Sequence, residues 1–142
     1  MTEFAVTIHD LEKSLDAKLI REGLIRYNQN FVDETAREIT VIAKDTSGEI
    51  SGGLTGHTAK SWLYVNLFWI ADAARGKGLG SKLLASAEEE AVQRGCRNVW
   101  LDTFSFQALG FYEKRGYAVF GKLENYPPGH ERFFLQKALI ST

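Results

Sequence analysis

The chain has 142 residues, of which 44% are hydrophobic and 25% are charged, and its formal net charge is −1. This length suits one domain with a single core, which we predict over residues 1–142. The near-neutral charge excludes a broad basic field for nucleic acid, so any binding of phosphate must be local. No apolar run reaches the length of a membrane span, and the N-terminal residues lack the pattern of a signal peptide.

The number and spacing of cysteines and histidines show whether a disulfide or a metal site can be predicted. The single cysteine, Cys96, cannot form an internal disulfide, which favours a reducing cytoplasm. We interpret it as a small core residue between a helix and a strand. The three histidines, His9, His57 and His130, have neither one another nor further cysteines at ligand spacing, so no metal site is predicted.

The first half of the chain is predicted to contain a strand, a helix and an antiparallel meander. Residues 4–8 predict the first strand. Apolar residues at helical spacing predict a helix over most of residues 11–31, broken near Gly23. A strand is then predicted over residues 39–44, and the turn at 45–48 predicts residues 49–56 as its hairpin partner. Residues 61–70, rich in aromatic and β-branched residues, predict the third strand of the meander.

The second half of the chain alternates helices and strands. A helix is predicted over residues 82–94, with an apolar stripe that would pack on a sheet, formed by Leu79, Leu83, Leu84, Ala87 and Ala91. The elements predicted after it are a strand over 98–104, a short helix over 107–115 and strands over 117–123 and 132–137. Meander, crossover helix and closing strands together predict a mixed α/β fold.

A glycine-rich segment, Arg75-Gly76-Lys77-Gly78-Leu79-Gly80-Ser81, lies between the third meander strand and the helix. Glycine lets a ligand approach the main chain, and a helix N-terminus offers free N–H groups and positive potential. The start of the helix has the cations Arg75, Lys77 and Lys82 and no acidic residue in its first turn, so we infer that an external anion such as phosphate completes it. The spacing fits neither the P-loop nor the dinucleotide fingerprint, because Ser81 and Leu83 stand where those motifs need glycine.

What remains is Arg-x-x-Gly-x-Gly, matched by Arg75, Gly78 and Gly80. This motif resembles the coenzyme A pyrophosphate loop of the GNAT superfamily of N-acetyltransferases. Residues 108–117, Ala-Leu-Gly-Phe-Tyr-Glu-Lys-Arg-Gly-Tyr, are similar to the second signature of that family. The resemblance covers most of the chain. It implies the GNAT fold, with a central twisted, mostly antiparallel sheet of six to seven strands flanked by helices.

The resemblance implies transfer of the acetyl group of acetyl-CoA, a cosubstrate, to a primary amine without a metal. The acceptor would be a small-molecule or protein amine, and neither nucleic acid nor membrane is an expected partner. The oligomeric state is left open, with a homodimer as one possibility because dimers are common among similar proteins. The alternative function is a non-catalytic acyl-CoA-binding sensor or interaction domain; a nucleotide-binding module is disfavoured by the failed motif spacings.

The resemblance also implies a set of cofactor-binding residues. Main-chain N–H groups at the end of the strand before the loop would face the thioester, because that strand splays from its neighbour in the family. Ser105 stands where the family often has asparagine, so contacts along the pantetheine arm are expected to differ. The predicted set is Phe68, Trp69, Ile70, Arg75, Gly76, Lys77, Gly78, Leu79, Gly80, Ser81, Ser105 and Tyr112, with Lys82, Lys114 and Arg115 as further cations.

Tyr112 is the predicted general acid, because it occupies the signature tyrosine position and a phenol stays protonated at neutral pH. The general base is open. Some GNAT enzymes carry a glutamate on the strand before the loop, and residues 63–70 contain no Asp, Glu or His. Asp102, near the end of the next strand, and His130, beside a Pro-Pro-Gly loop, are two candidates. A chain of water molecules is the third.

Overall fold

The computed structural model describes residues 3–10, 14–33 and 35–139, and the chain divides into two units, Met1–Glu34 and Thr35–Thr142. The first unit contains helix α1 (Leu15–Asn28), which begins after Ser14, whose Oγ accepts a hydrogen bond from the Ala17 N–H at 3.1 Å. The helix runs through Gly23 without the predicted break, since one mid-helix glycine costs only about 1 kcal/mol. Its predicted start at residue 11 lies outside the described residues. The single domain over residues 1–142 stays a prediction.

The predicted strand over residues 4–8 is wrong, because this stretch belongs to no helix or strand. Phe4, Val6 and Ile8 alternate as in a strand, yet all three side chains are exposed. An alternating sequence forms a strand only where a neighbouring strand completes its main-chain hydrogen bonds. The sequence of residues 4–8 alone cannot show whether such a neighbour exists.

The second unit is built on a mixed sheet of six strands. Along the chain these are β1 (Arg37–Lys44), β2 (Ile50–Ala59), β3 (Trp62–Ile70), β4 (Asn98–Phe104), β5 (Ala118–Glu124) and β6 (Glu131–Ala138). Their order in the sheet is β1-β2-β3-β4-β6-β5, and every neighbouring pair is antiparallel except β3 with β4. The predicted mixed α/β class with a mostly antiparallel sheet is confirmed.

Two helices of the second unit flank the sheet: α2 (Leu79–Gln93) follows β3, and α3 (Leu109–Lys114) follows β4. Helix α2 starts at Leu79 rather than at residue 82, because Gly78 adopts a left-handed conformation and serves as its N-cap. The apolar stripe is confirmed, and its fully buried members are Leu83, Leu84, Ala87 and Ala91. None of the described helices combines the length and apolar character needed to cross a membrane.

Strands β3 and β4 pair over only part of their lengths. Their parallel register ends where Val65 lies opposite Leu101. Beyond that point β3 continues to Ile70 along β2, and β4 continues to Phe104 along β6. A gap therefore opens between the C-terminal halves of two neighbouring strands, in the middle of the sheet.

The gap begins at a β-bulge in β3. Gly56 of β2 lies opposite Val65, and the preceding residue of β2 lies opposite Leu67, so Asn66 is an extra residue on β3. An extra residue bends its strand and increases the local twist. A Cβ built on Gly56 would lie 2.0 Å from the carbonyl oxygen of Tyr64. Only glycine therefore allows β2 to follow the bulge this closely.

Replacing Gly56 by alanine should destabilise the protein by about 2 kcal/mol or more, because the new Cβ and the Tyr64 carbonyl cannot both keep their positions. The control is Gly121→Ala in β5, where an added Cβ would meet Phe134 at an ordinary 3.9 Å and should change stability by less than about 1 kcal/mol. Urea unfolding followed by circular dichroism measures both. Equal stabilities of the two variants would contradict the close approach at the bulge.

Candidate active site

The C-terminal half of β3 presents main-chain groups to the gap. The Ala71 N–H donates to the Ser51 carbonyl of β2 at 2.8 Å. Because N–H groups alternate in direction along a strand, the Trp69 N–H also faces β2, whereas those of Phe68 and Ile70 face the gap. Of the three predicted main-chain donors, two therefore point into the gap and one belongs to the ladder with β2.

The glycine-rich segment forms the turn into α2. Gly76 and Gly78 have φ values of +76° and +78°, in the left-handed region that favours glycine, and a Cβ on either would meet nothing within 4 Å. Gly78 caps α2 without a side-chain hydrogen bond, and the first turn contains no acidic residue. The first N–H groups of a helix lack intrahelical partners, so this turn offers an anion several donors and the positive end of the helix dipole.

Two arginines form hydrogen bonds that connect this turn to the neighbouring elements. Arg75 Nε donates to the carbonyl of Ile70 at 3.2 Å, which ties the turn to the end of β3. Arg115 of α3 reaches the first turn of α2, where its Nε donates to Ser81 Oγ at 2.7 Å and its Nη2 contacts the same oxygen. Its guanidinium carbon lies 3.9 Å from the centroid of the Phe111 ring. Arg115, predicted as a further phosphate-binding cation, thus also fixes α3 against α2.

Tyr112 of α3 is buried, with 7% of its surface exposed, among the rings of Phe68, Phe111 and Tyr117. Its centroid lies 6.3 Å from that of Phe68, on the strand that borders the gap. No hydrogen bond joins the Tyr112 hydroxyl to another residue that the structure describes. Burial, and after it the charge of Asp102, raise the pKa of Tyr112 to about 12, so the phenol stays protonated at neutral pH.

Asp102 is the first residue of β4 beyond the last pair with β3, so it stands beside the gap. Its Oδ2 accepts a hydrogen bond from Arg132 Nε at 2.7 Å, and the Asp102 side chain is only 11% exposed. The guanidinium carbon of Arg132 lies 5.1–5.4 Å from three ring centroids, those of Phe104, Tyr126 and Phe134. Arg132 therefore fixes the position of the Asp102 carboxylate, and the three rings fix the position of Arg132.

The other predicted catalytic residue, His130, lies in the loop between β5 and β6. Its Nδ1 is 3.4 Å from Ser105 Oγ, and its ring meets that of Phe106 edge-on at 5.0 Å. Ser105 Oγ also accepts a hydrogen bond from the Glu131 N–H at 3.1 Å. Ser105 therefore joins the end of β4 to the start of β6, and it brings His130 to the same end of the sheet as Asp102.

A separate polar cluster lies between α2 and the closing strands. The Tyr117 hydroxyl donates to Glu88 Oε2 at 2.6 Å, and Lys137 Nζ donates to Oε1 at 2.9 Å. Burial, followed by the hydrogen bond to Glu88, raises the pKa of Tyr117. A cleft of about 460 Å³ connects this cluster to the start of α2 and is lined by Ser81, Leu84, Ala85, Glu88, Lys114, Arg115 and Lys137.

Sequence reasoning missed Arg132 and the role of Arg115. The only local signal for Arg132 is a charge among aromatic residues in β6, and its pairing with Asp102 depends on the β4–β6 register. Arg115 stands in the second signature, but its reach to Ser81 depends on how α3 packs against α2. In the part of the chain that the structure describes, no three His, Cys, Asp or Glu side chains converge to hold a metal ion.

Comparisons with known proteins agree with this geometry. The family model described as Acetyltransferase (GNAT) family matches residues 6–117. An acetyltransferase from Agrobacterium fabrum is 37% identical over 131 residues, which cover 92% of this chain and 96% of the relative. Blasticidin-S acetyltransferase from Streptomyces morookaense is 45% identical over 93 residues, which cover 65% of this chain and 68% of the relative.

Solved structures agree as well. The crystal structure of an acetyltransferase from Agrobacterium tumefaciens matches with a TM-score of 0.87 at 36% identity, over 95% of this chain and 99% of that one. Fold, gap and glycine turn therefore define an acetyltransferase domain. The chain belongs to the GNAT family, which confirms the resemblance, and it is an acetyl-CoA-dependent acetyltransferase.

Tyr112 should contribute to loss of stability at alkaline pH. Its pKa is raised from 10.0 to about 12, so between these values the unfolded chain releases a proton that the folded chain keeps. The corresponding stability is complete below pH 10 and is lost as the pH rises to 12, by about 3 kcal/mol in all. We expect the free energy of unfolding of Tyr112→Phe to fall less steeply than that of the wild type over this range, in urea titrations. Identical slopes would contradict the raised pKa.

Proposed function

We propose that the protein transfers the acetyl group of acetyl-CoA to a primary amine by direct attack of the amine on the thioester. The observation that carries this proposal is the buried Tyr112 phenol, which lies against a strand bordering the gap and has no hydrogen bond to another described residue. Leaving a buried hydroxyl without a partner costs about 1–3 kcal/mol, so a group at a gap with no protein partner is expected to bind water or a substrate atom, and a substrate atom that displaces the water takes over its hydrogen bond.

Coenzyme A would be held by main-chain groups. The first N–H groups of α2, with Gly76 and Gly78 before them, suit a diphosphate that approaches the main chain closely. The cleft beside α2 adds the cations Lys114 and Arg115 near the same turn. The N–H groups of Phe68 and Ile70 face the gap and would donate to the carbonyl oxygen as it gains negative charge.

Tyr112 would act on the leaving sulfur. A thiol has a pKa of about 8.5, so full proton transfer from a phenol of pKa about 12 is uphill. Tyr112 therefore stabilises the developing thiolate chiefly by donating a hydrogen bond, which is strong in a buried site. This role needs the hydroxyl group and no other feature of the side chain.

Asp102 would orient the amine and accept its proton. It stands beside the gap, and its charge is close enough to Tyr112 to raise the pKa of that phenol. His130 remains the second candidate; its ring contacts Ser105 and Phe106 at the end of the same strand. The relatives are named as acetyltransferases, which supports catalysis over a sensor role. The lone buried thiol of Cys96 supports a cytoplasmic location.

Tyr112→Phe should lower kcat by about 100-fold while the Kd for acetyl-CoA stays within about twofold. Its free energy of unfolding at pH 7 should stay the same or rise by up to about 3 kcal/mol, because the substitution removes a buried hydroxyl that has no described partner. The matched control is Tyr117→Phe, which removes a hydroxyl bonded to Glu88; it should cost about 1–3 kcal/mol of stability and leave kcat near the wild-type value.

Release of free thiol from acetyl-CoA, measured over a panel of primary amines, follows this reaction. The panel includes blasticidin S, since a relative 45% identical over 93 residues carries that name. An unchanged kcat in Tyr112→Phe would remove the phenol from the mechanism. Binding of acetyl-CoA without thiol release on any amine would refute the proposed function.

Gly78→Ala should weaken coenzyme A binding about tenfold or more, because a Cβ would stand between the diphosphate and the main chain. Gly48→Ala is the matched control: Gly48 has φ +89° and Gly78 has φ +78°, and neither has an atom within 4 Å of an added Cβ. Both variants should therefore carry a similar strain of about 1–2 kcal/mol. Calorimetric titration with coenzyme A should separate them; equal affinities would contradict binding at the glycine turn.

A further inference from the structure

The end of the sheet next to Asp102 carries a stack of aromatic rings. The Phe104 and Phe106 rings lie 5.3 Å apart and are inclined by 6°, and the Tyr126 ring lies 5.9 Å from Phe104 at 23°. The outer members are open to solvent, with Phe106 57% and Tyr126 46% exposed. Exposed rings lose the benefit of burial, and a cluster of them beside a reactive centre is typical of a ligand site.

This stack is continuous with the proposed catalytic residues. Asp102 and Phe104 are two residues apart on β4, so their side chains lie on the same face of the sheet. Arg132 lies opposite Phe104 in the register with β6, and it contacts both Asp102 and the Tyr126 ring. A molecule whose amine reaches Asp102 therefore has the stack beside it.

Each carboxylate at this end already has an ion-pair partner, although the two glutamates share one lysine. Glu124 lies 3.4 Å and Glu131 3.1 Å from Lys122 Nζ, and Asp102 is paired with Arg132. These three carboxylates are all that β4, β5, β6 and the loop between β5 and β6 contain within the described chain. A polycationic acceptor, which needs several acidic partners, finds little there to bind its additional ammonium groups.

We propose that the acceptor is a primary amine carried on a flat, unsaturated ring, and that this ring stacks on the exposed aromatic surface formed by Phe104, Phe106 and Tyr126. The inference rests on the proposed function and specifies its substrate class. Offset stacking between flat rings adds an attraction that a saturated ring of the same size does not gain. Asp102 receives the amine, and the stack selects the group attached to it.

The test uses two amines that differ only in the ring, 2-phenylethylamine and 2-cyclohexylethylamine, together with spermidine as a polycation. With the full chain and saturating acetyl-CoA, we expect kcat/KM to be about three- to tenfold higher for the phenyl compound than for the cyclohexyl compound, and lowest for spermidine. Phe106→Leu should raise KM for the phenyl compound by a similar factor and leave the cyclohexyl compound unchanged.

The control variant is Phe120→Leu, which removes an equally exposed ring that packs against Phe134 rather than in the stack. It should leave both KM values unchanged. Calorimetric titration of 2-phenylethylamine into the protein loaded with coenzyme A gives a readout independent of turnover, and Phe106→Leu should weaken this binding.

Two outcomes are distinguishable. Equal use of the phenyl and cyclohexyl amines, or a preference for spermidine, would overturn the inference while thiol release still supports acetyl transfer to amines. Absence of thiol release with every amine would refute the proposed function. In that case the calorimetric titration alone decides whether the stack binds flat amines.

Discussion

The close approach of Gly56 to the main chain of β3 is the constraint on which the site depends. A side chain at this position would meet the Tyr64 carbonyl, so the bulge at Asn66 exists only because β2 offers no Cβ there. The bulge turns the second half of β3 away from β4, and the parallel pairing stops at Val65. Main-chain groups that a continuous sheet would use for its own ladder become available to a substrate.

The gap also joins two chemically different faces of the sheet. On the side covered by α2, Gly78 opens a helix N-terminus with no acidic residue in its first turn, which favours an anion. On the opposite face, Asp102 and Arg132 balance each other beside a set of rings, which favours an uncharged or singly charged group. Under the proposed function, the phosphates and the acceptor are therefore kept apart, and the thioester lies where β3 and β4 separate.

Much of the fold could be predicted because periodicity and glycine placement are local. The apolar stripe of α2 and the strand over residues 98–104 follow directly from the order of side chains. Residues 4–8 show the limit, since their alternation matches a strand while the pairing that makes one is a property of another segment. The site divides in the same way: Gly78 and Tyr112 lie in recognisable motifs, whereas the partnership of Arg132 with Asp102 needs the β4–β6 register.

Two neighbouring tyrosines show how packing assigns different roles to one residue type. The rings of Tyr112 and Tyr117 are 5.8 Å apart, and burial raises the pKa of both. Tyr117 donates to Glu88, so its hydroxyl is satisfied and contributes to stability. The Tyr112 hydroxyl has no such partner in the described chain, although the ring beside it, that of Tyr117, is bonded to a carboxylate. A fold optimised for stability alone would satisfy both groups from within the protein; under the proposed function, a substrate atom completes the hydrogen bond that the fold leaves to Tyr112.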